Sequence, residues 1–134
     1  MINFDYPKIE EIAKQYCVAD FFVFGSKIEG FARADSDLDV GVRFENGLPC
    51  AEKRGKIYGE LFADLNRCFP NQKLDLVFID EVPLHFQYKI FTKGKMIFTS
   101  NQENSFNFQE RIFNLYRDQK YFIDIFFQGI LESS

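Results

Sequence analysis

Hydrophobic positions along the first third of the chain predict one helix followed by two strands. After Asp5 and Pro7, apolar residues recur every three or four positions as far as residue 16, which is the spacing of an amphipathic helix. Residues 21–24 are wholly apolar, a run long enough for a buried strand and too short for an independent helix. From residue 38 to residue 42 every second residue is apolar, which indicates a second strand.

The middle of the chain repeats this pattern of helix and strand. Residues from about 50 to 69 have apolar positions at helical spacing, and Pro70 ends the helix. Residues 73–79 alternate and are rich in Leu, Val, Phe and Ile, as expected for a third strand. Asp75 is surrounded by apolar residues in this strand, and an acid in such a position needs a partner.

The last part of the chain predicts a short helix, an edge strand and a long helix. Pro83 opens the short helix, Gly94 ends it, and residues 95–99 form the expected edge strand. From about residue 102 to residue 131 the pattern is strongly helical, with an apolar stripe wider than one core contact requires. The excess apolar surface is typical of a partner interface. The alternation of helices and strands predicts an α/β fold.

Two aspartates of the second strand are expected on the same face. Asp37 and Asp39 are separated by one residue, and side chains in a strand repeat every two residues. Two neighbouring carboxylates repel each other unless a cation offsets the cost, and oxygen ligands suit a hard ion such as Mg2+. The same residues could also be solvated carboxylates on an exposed strand face, so the spacing alone leaves both interpretations open.

The turn after the first strand has the character of a phosphate-binding loop. Gly25 allows close approach of the backbone, and Ser26 opens a short helical segment whose free N–H groups favour an anion. Ser26 and Glu29 also have the spacing of an ordinary helix capping box. A metal site beside a phosphate-binding turn points to a nucleotide.

Length and charge narrow the classes of function. The 134 residues fit one domain, residues 1–134, with a core that needs no disulfides. A net charge of −4 without a basic stripe argues against nucleic acid as the main partner. Cys17, Cys50 and Cys68 have neither metal-ligand spacing nor a disulfide framework, as expected of free thiols in a reducing compartment. With no signal peptide and no membrane-spanning run, we expect a cytoplasmic protein.

The strand, Gly25-Ser26, ten intervening residues and Asp37-Leu38-Asp39 together resemble the signature of the DNA polymerase β-like nucleotidyltransferase superfamily. The resemblance is closest to its minimal, single-domain branch (MNT), and it is most specific in the first third of the chain. Lys27 departs from the pattern, which more often has Arg there; the charge is kept but the two-pronged hydrogen bonding of a guanidinium is lost. The positions that match are Gly25, Ser26, Gly30, Ala32, Arg33, Asp35, Ser36, Asp37 and Asp39.

The resemblance implies a fold and a set of acidic site residues. The expected fold is a single-domain polymerase β-like nucleotidyltransferase, with a small mixed β-sheet flanked by helices and a long C-terminal helix. In the family a third carboxylate comes from a strand beside the D-x-D strand, and Asp75 is the candidate here. Asp37, Asp39 and Asp75 would then be the catalytic residues and the ligands of Mg2+, and Asp75 would also take the acceptor's proton.

The resemblance also implies a nucleotide donor and residues that bind it. The expected reaction moves a nucleoside monophosphate, AMP from ATP in the favoured version, to a hydroxyl group. Gly25 and Ser26 would hold the β- and γ-phosphates. Lys27 and Arg33 would add positive charge around them.

The acceptor is expected to be another protein, because the chain has no room for a second domain that holds a small substrate. Minimal nucleotidyltransferases of this size resemble the antitoxins of HEPN/MNT toxin–antitoxin pairs, which silence a HEPN ribonuclease toxin by attaching AMP to a tyrosine. The broad apolar C-terminal helix would suit docking on such a helical partner. Two alternatives stay open: an antitoxin that acts by steric binding without catalysis, and an antibiotic nucleotidyltransferase that works as a homo-oligomer, specifically a homodimer.

Overall fold

Four strands form one mixed β-sheet in the part of the chain that the structure describes. This computed structural model describes residues 4–25 and 37–133, with side chains up to residue 130. The strands are β1 (Val18–Phe24), β2 (Leu38–Phe44), β3 (Leu74–Phe78) and β4 (Lys95–Thr99), in the spatial order β3-β2-β1-β4. β1 runs antiparallel to both β2 and β4, whereas β2 and β3 are parallel.

Helices cover both faces of this sheet. They are α1 (Tyr6–Tyr16), α2 (Ala51–Asn66), α3 (Leu84–Lys93) and α4 (Gln102–Ser133), and a 3-10 turn covers Ile79–Glu81. α1 begins where the Asp5 side chain accepts a hydrogen bond from the Lys8 N–H at 3.3 Å, and it ends at Cys17 in the left-handed region with φ 55°. α2 connects the two parallel strands, which need a crossover of this length.

The two faces of the sheet bury different clusters because side chains alternate along each strand. Phe21 and Val23 of β1 face α1 and α2, together with Leu38, Val40 and Val42 of β2. Phe22 and Phe24 of β1 face the opposite way, where they pack with Ile79 and with Ile90 of α3. We call the two sides the α1/α2 face and the α3/α4 face. Residues 39, 41 and 43 of β2 therefore point to the α3/α4 face.

β2 is longer than the sequence pattern predicted. The alternating pattern predicted the strand only as far as Val42, but the strand continues through Arg43 and Phe44, and both residues are buried. Arg43 is tolerated there because it pairs with Asp20 of β1 in the strand register and forms an ion pair with it. The predictions of the third strand, the edge strand and the long C-terminal helix are confirmed.

α4 packs on the body of the protein only along its first half. Ser105 and Ile112 are buried, and Tyr116 stacks on Tyr88 of α3 with ring centroids 4.1 Å apart. Farther along, large apolar side chains are exposed on more than one side of the helix, at Tyr121, Phe122, Ile123, Ile125, Phe126, Phe127 and Ile130. Across the described ranges, we find no helix with the length and apolar character needed to cross a membrane.

Candidate functional site

Asp39 and Asp75 lie side by side on adjacent strands. β2 and β3 are parallel, and their register pairs Asp39 with Asp75. Directly paired residues of neighbouring strands point to the same side of a sheet, so both carboxylates project from the α3/α4 face. Asp75 is exposed and Asp39 is half-buried. Asp37 lies one residue before β2 and is also exposed.

Asp75 and Asp37 are close enough to Asp39 to influence its ionisation. Burial raises the pKa of Asp39 to about 6, and the negative charges of Asp75 and then Asp37 act in the same direction. Lys89 of α3 acts in the opposite direction and favours the charged form of Asp39. Above pH 6 this end of the sheet therefore carries a concentration of negative charge, which a bound cation would stabilise.

Gly25 brings the end of β1 into direct contact with Asp39. Its backbone has φ +93°, a conformation that side chains disfavour, and a Cβ placed on it would overlap Asp39 Oδ2. The neighbouring residue, Phe24, is the register partner of Asp39. Glycine is therefore required at this turn both for its backbone angle and for the space that the carboxylate occupies.

Three of the predicted phosphate-binding residues cannot be placed relative to this turn. Ser26, Lys27 and Arg33 lie outside the described residues. Of the predicted site residues, the structure thus brings together Gly25, Asp39 and Asp75, with Asp37 at the start of the same strand.

The donor set has the chemistry of a hard-cation site but is not assembled as one. Carboxylate oxygens are the ligands that Mg2+ prefers. Within residues 4–25 and 37–130, no three Asp, Glu, His or Cys side chains are grouped as they would be around a metal ion. Asp39 and Asp75 fit Mg2+ in chemistry and in strand position, and Asp37 fits it in chemistry.

The pattern of hydrophobic residues did not reveal a buried polar network on the same face of the sheet as this site, towards the other end of β1 and β2. Arg43 Nε donates to Asp20 Oδ2 at 2.7 Å, and both side chains are almost completely buried. Ser105 of α4 donates to the same oxygen at 3.1 Å, and Arg43 Nη2 donates to Asn104 of α4 at 2.8 Å. The guanidinium also lies 4.7 Å from the centroid of the Phe108 ring. This network joins β1, β2 and the start of α4 on the α3/α4 face.

A cavity of about 450 Å³ lies at the opposite end of the sheet. It is bordered by Val18 at the start of β1, Thr99 at the end of β4, and Glu10 and Lys14 of α1. None of the paired carboxylates lines it. The carboxylates and the glycine turn, rather than this cavity, form the candidate active site.

Solved structures of toxin–antitoxin complexes contain the same fold. A crystal structure of a toxin-antitoxin with AMP-PNP matches 95% of this chain and 98% of its own chain, with a TM-score of 0.68 and 17% identity. The MntA-HepT toxin-antitoxin matches 94% of this chain and 96% of its own, with a TM-score of 0.63 and 16% identity. A structure of a tri-AMPylated Shewanella oneidensis HEPN toxin in complex with MNT antitoxin matches 94% of this chain and 95% of its own chain, also with a TM-score of 0.63 and 16% identity.

The family of the chain follows from a match of its sequence to a family model. None of the curated proteins compared with the chain matches it. The model described as Polymerase beta, Nucleotidyltransferase matches residues 7–103, a segment that includes Gly25, Asp37, Asp39 and Asp75. The match confirms the predicted resemblance to these nucleotidyltransferases and, with the solved structures, the predicted α/β fold. The chain belongs to the polymerase beta nucleotidyltransferase family.

Proposed function

We propose that this protein is a Mg2+-dependent adenylyltransferase that moves AMP from ATP to a hydroxyl group, and that it acts as an antitoxin. The acceptor in this proposal is a tyrosine of a HEPN ribonuclease toxin. The observation that carries the proposal is the pairing of Asp39 with Asp75 beneath the Gly25 turn, in a chain of the nucleotidyltransferase family.

The acidic residues would have distinct tasks in this reaction. Asp37, Asp39 and Asp75 would hold Mg2+, which when bound would offset the charge of the triphosphate. Asp75 is exposed, so an acceptor hydroxyl can reach it. Asp75 would take the proton of that hydroxyl as its oxygen bonds to the α-phosphorus and pyrophosphate leaves. Gly25, with Ser26, Lys27 and Arg33, would bind the phosphates.

The comparisons support the choice of nucleotide and partner. The solved complexes with the same fold include one with AMP-PNP and one in which a HEPN toxin is tri-AMPylated. The exposed apolar side chains of α4 supply a surface for a protein partner in this chain. We therefore favour a protein acceptor over a small molecule.

Intact mass spectrometry of the partner tests the proposal. The protein is mixed with Mg2+, ATP or GTP, and the HEPN-type product of the neighbouring gene. We expect the partner's mass to rise by one or more AMP groups with ATP, and to stay constant when Asp39→Asn replaces the wild type. An unchanged partner mass with every nucleotide would refute the transferase proposal.

A second candidate function is an antitoxin that neutralises its partner by binding alone. The exposed distal half of α4 favours it, because that surface suits binding whether or not catalysis occurs. Asp37→Asn separates the two functions in cells that express the toxin. If this variant still binds the partner but no longer protects the cells, catalysis is required; full protection would favour steric neutralisation.

A further inference from the structure

α3 lies across the face of the sheet from which the site carboxylates project. Phe86 of α3 packs edge-on against Phe24 of β1, with ring centroids 5.8 Å apart, and Ile90 is fully buried against the same face. Phe24 is both the register partner of Asp39 and the residue before Gly25. This packing sets the rotation of α3 about its axis next to the glycine turn.

Lys89 is the residue of α3 that this rotation brings towards the carboxylates. It follows Phe86 by three positions and precedes Ile90 by one, so it lies on the same side of the helix as Phe86. The charge of Lys89 opposes the effects of burial, Asp75 and Asp37, which raise the pKa of Asp39. Lys89 is nevertheless exposed, and it has no ion pair within 4.0 Å among the described residues. Lys89 therefore lies one helical turn from the contact between Phe86 and Phe24, and no ion pair among these residues holds its ammonium group.

We propose that Lys89 is a nucleotide-binding residue that contacts the triphosphate from the α3 side of the site. This inference rests on the proposed transferase function. A lysine beside the ligands of a metal ion repels that ion, so its position does not favour binding of the bare cation. A triphosphate is more negative than the Mg2+ that accompanies it is positive, and the three N–H donors of an ammonium group suit phosphate oxygens. Lys89 thus favours the nucleotide–metal complex over the free metal.

The proposal predicts effects of opposite sign on two ligands. Lys89→Gln is expected to weaken binding of AMP-PNP in the presence of Mg2+ by about tenfold, the loss of one charge-assisted contact. The same change is expected to leave binding of Mn2+ alone unchanged or to tighten it, because a repelling charge is removed. Lys89→Arg should restore most of the nucleotide affinity. Calorimetry measures nucleotide binding, and electron paramagnetic resonance measures free Mn2+.

Lys14→Gln is the matched control, since it removes the same charge from an exposed position. Lys14 lies on α1, which covers the other face of the sheet. Thermal unfolding of each variant verifies that the fold is intact. If the wild type binds AMP-PNP and Lys89→Gln binds it as tightly as Lys14→Gln does, the role of Lys89 is refuted while the transferase proposal stands. If the wild type binds no nucleotide, both proposals fail together.

Discussion

Gly25 is the residue at which backbone geometry and the chemistry of the site are most closely connected. Its left-handed φ of +93° and the position of Asp39 Oδ2 both exclude a side chain. We predict that Gly25→Ala destabilises the protein by about 1–3 kcal/mol, from backbone strain and from displacement of the carboxylate. The same variant should lose measurable binding of AMP-PNP. Urea unfolding and calorimetry provide the two measurements.

Gly55→Ala is the control for this prediction. Gly55 lies in α2, and a Cβ placed on it would have no neighbour within 4 Å. Because alanine favours helix over glycine, this variant should be more stable than the wild type by up to about 1 kcal/mol. Equal effects of the two substitutions would show that the contact between Gly25 and Asp39 has no special role.

The ionisation of Asp39 predicts a dependence of stability on pH. Burial and the neighbouring charges raise the pKa of Asp39 from 3.8 to about 6 in the folded protein. Between these values the folded state binds more protons than the unfolded state, so the contribution of Asp39 to stability falls as the pH rises from about 4 to 6. Asp39→Asn should remove this loss of stability, because asparagine does not ionise. The variant should therefore be more stable than the wild type at pH 7 and nearly equal to it at pH 4.

Urea unfolding in the presence of a chelator, at pH values from 4 to 8, tests this prediction without interference from bound metal. The prediction concerns the difference between the two proteins, because other groups titrate in both. A difference in stability that stays constant over the whole pH range would contradict it. Below pH 6, binding of Mn2+ to the wild type should also weaken, because the metal then has to displace a proton from Asp39.

At the scale of the elements, the ion pair of Arg43 and Asp20 connects the first turns of α4 to the sheet. Its two side chains are 8% and 1% exposed, whereas those of Arg54 and Glu81 are 33% and 40% exposed. Arg43→Met leaves a buried carboxylate without its partner and should cost about 3–5 kcal/mol of unfolding free energy. Arg54→Met should cost about 1 kcal/mol or less. Urea denaturation compares the two variants, and similar costs would refute the structural role of the buried pair.

The elements themselves were largely predictable from the sequence, because each produces a local pattern. The alternation in residues 73–79 predicted β3 (Leu74–Phe78), and the run of residues 95–99 predicted β4. The partnership of Arg43 with Asp20 was not predictable from such patterns. It joins residues 23 positions apart, and the alternating pattern predicted the strand only as far as Val42. A charged residue at the end of β2 could have suggested this partnership, because the antiparallel pairing of β1 and β2 places Arg43 opposite Asp20.

The site was predictable only in part, because some of its residues are brought together by contacts between distant parts of the chain. The spacing of Asp37 and Asp39 predicts that they share a face, because that relation depends only on residues next to each other in the sequence. The position of Asp75 beside Asp39 depends on the register of two parallel strands that α2 separates, and only the family resemblance pointed to it. Lys89 gave no local signal, since an exposed lysine on a helix is ordinary until the packing of Phe86 on Phe24 is known.

At the scale of the whole molecule, the candidate active site and the unpacked helix belong to the same side of the sheet. α4 packs on α3 through the stacked rings of Tyr116 and Tyr88, and α3 carries Lys89, whose charge acts on Asp39. We predicted that the apolar stripe of α4 would contact the core along one side. In fact the 32-residue helix extends beyond the sheet, and its distal half exposes apolar side chains over most of its circumference, with Lys120, Asp124 and Gln128 along the remaining side. So broad an exposed apolar surface is typical of a protein interface.

Phe122 and Phe126 provide the test of this surface. They are 67% and 65% exposed, so replacing them should not disturb the core. Phe122→Asp combined with Phe126→Asp should weaken binding of the proposed HEPN partner by about 30-fold or more, because exposed aromatic anchors commonly contribute about 2 kcal/mol or more to an interface. Transfer of AMP to the partner should fall with it, while the affinity for AMP-PNP and the thermal stability stay unchanged. Gln119→Asp, an exposed polar position on the same helix, is the control. Unchanged partner affinity in the double variant would place the interface elsewhere on the molecule.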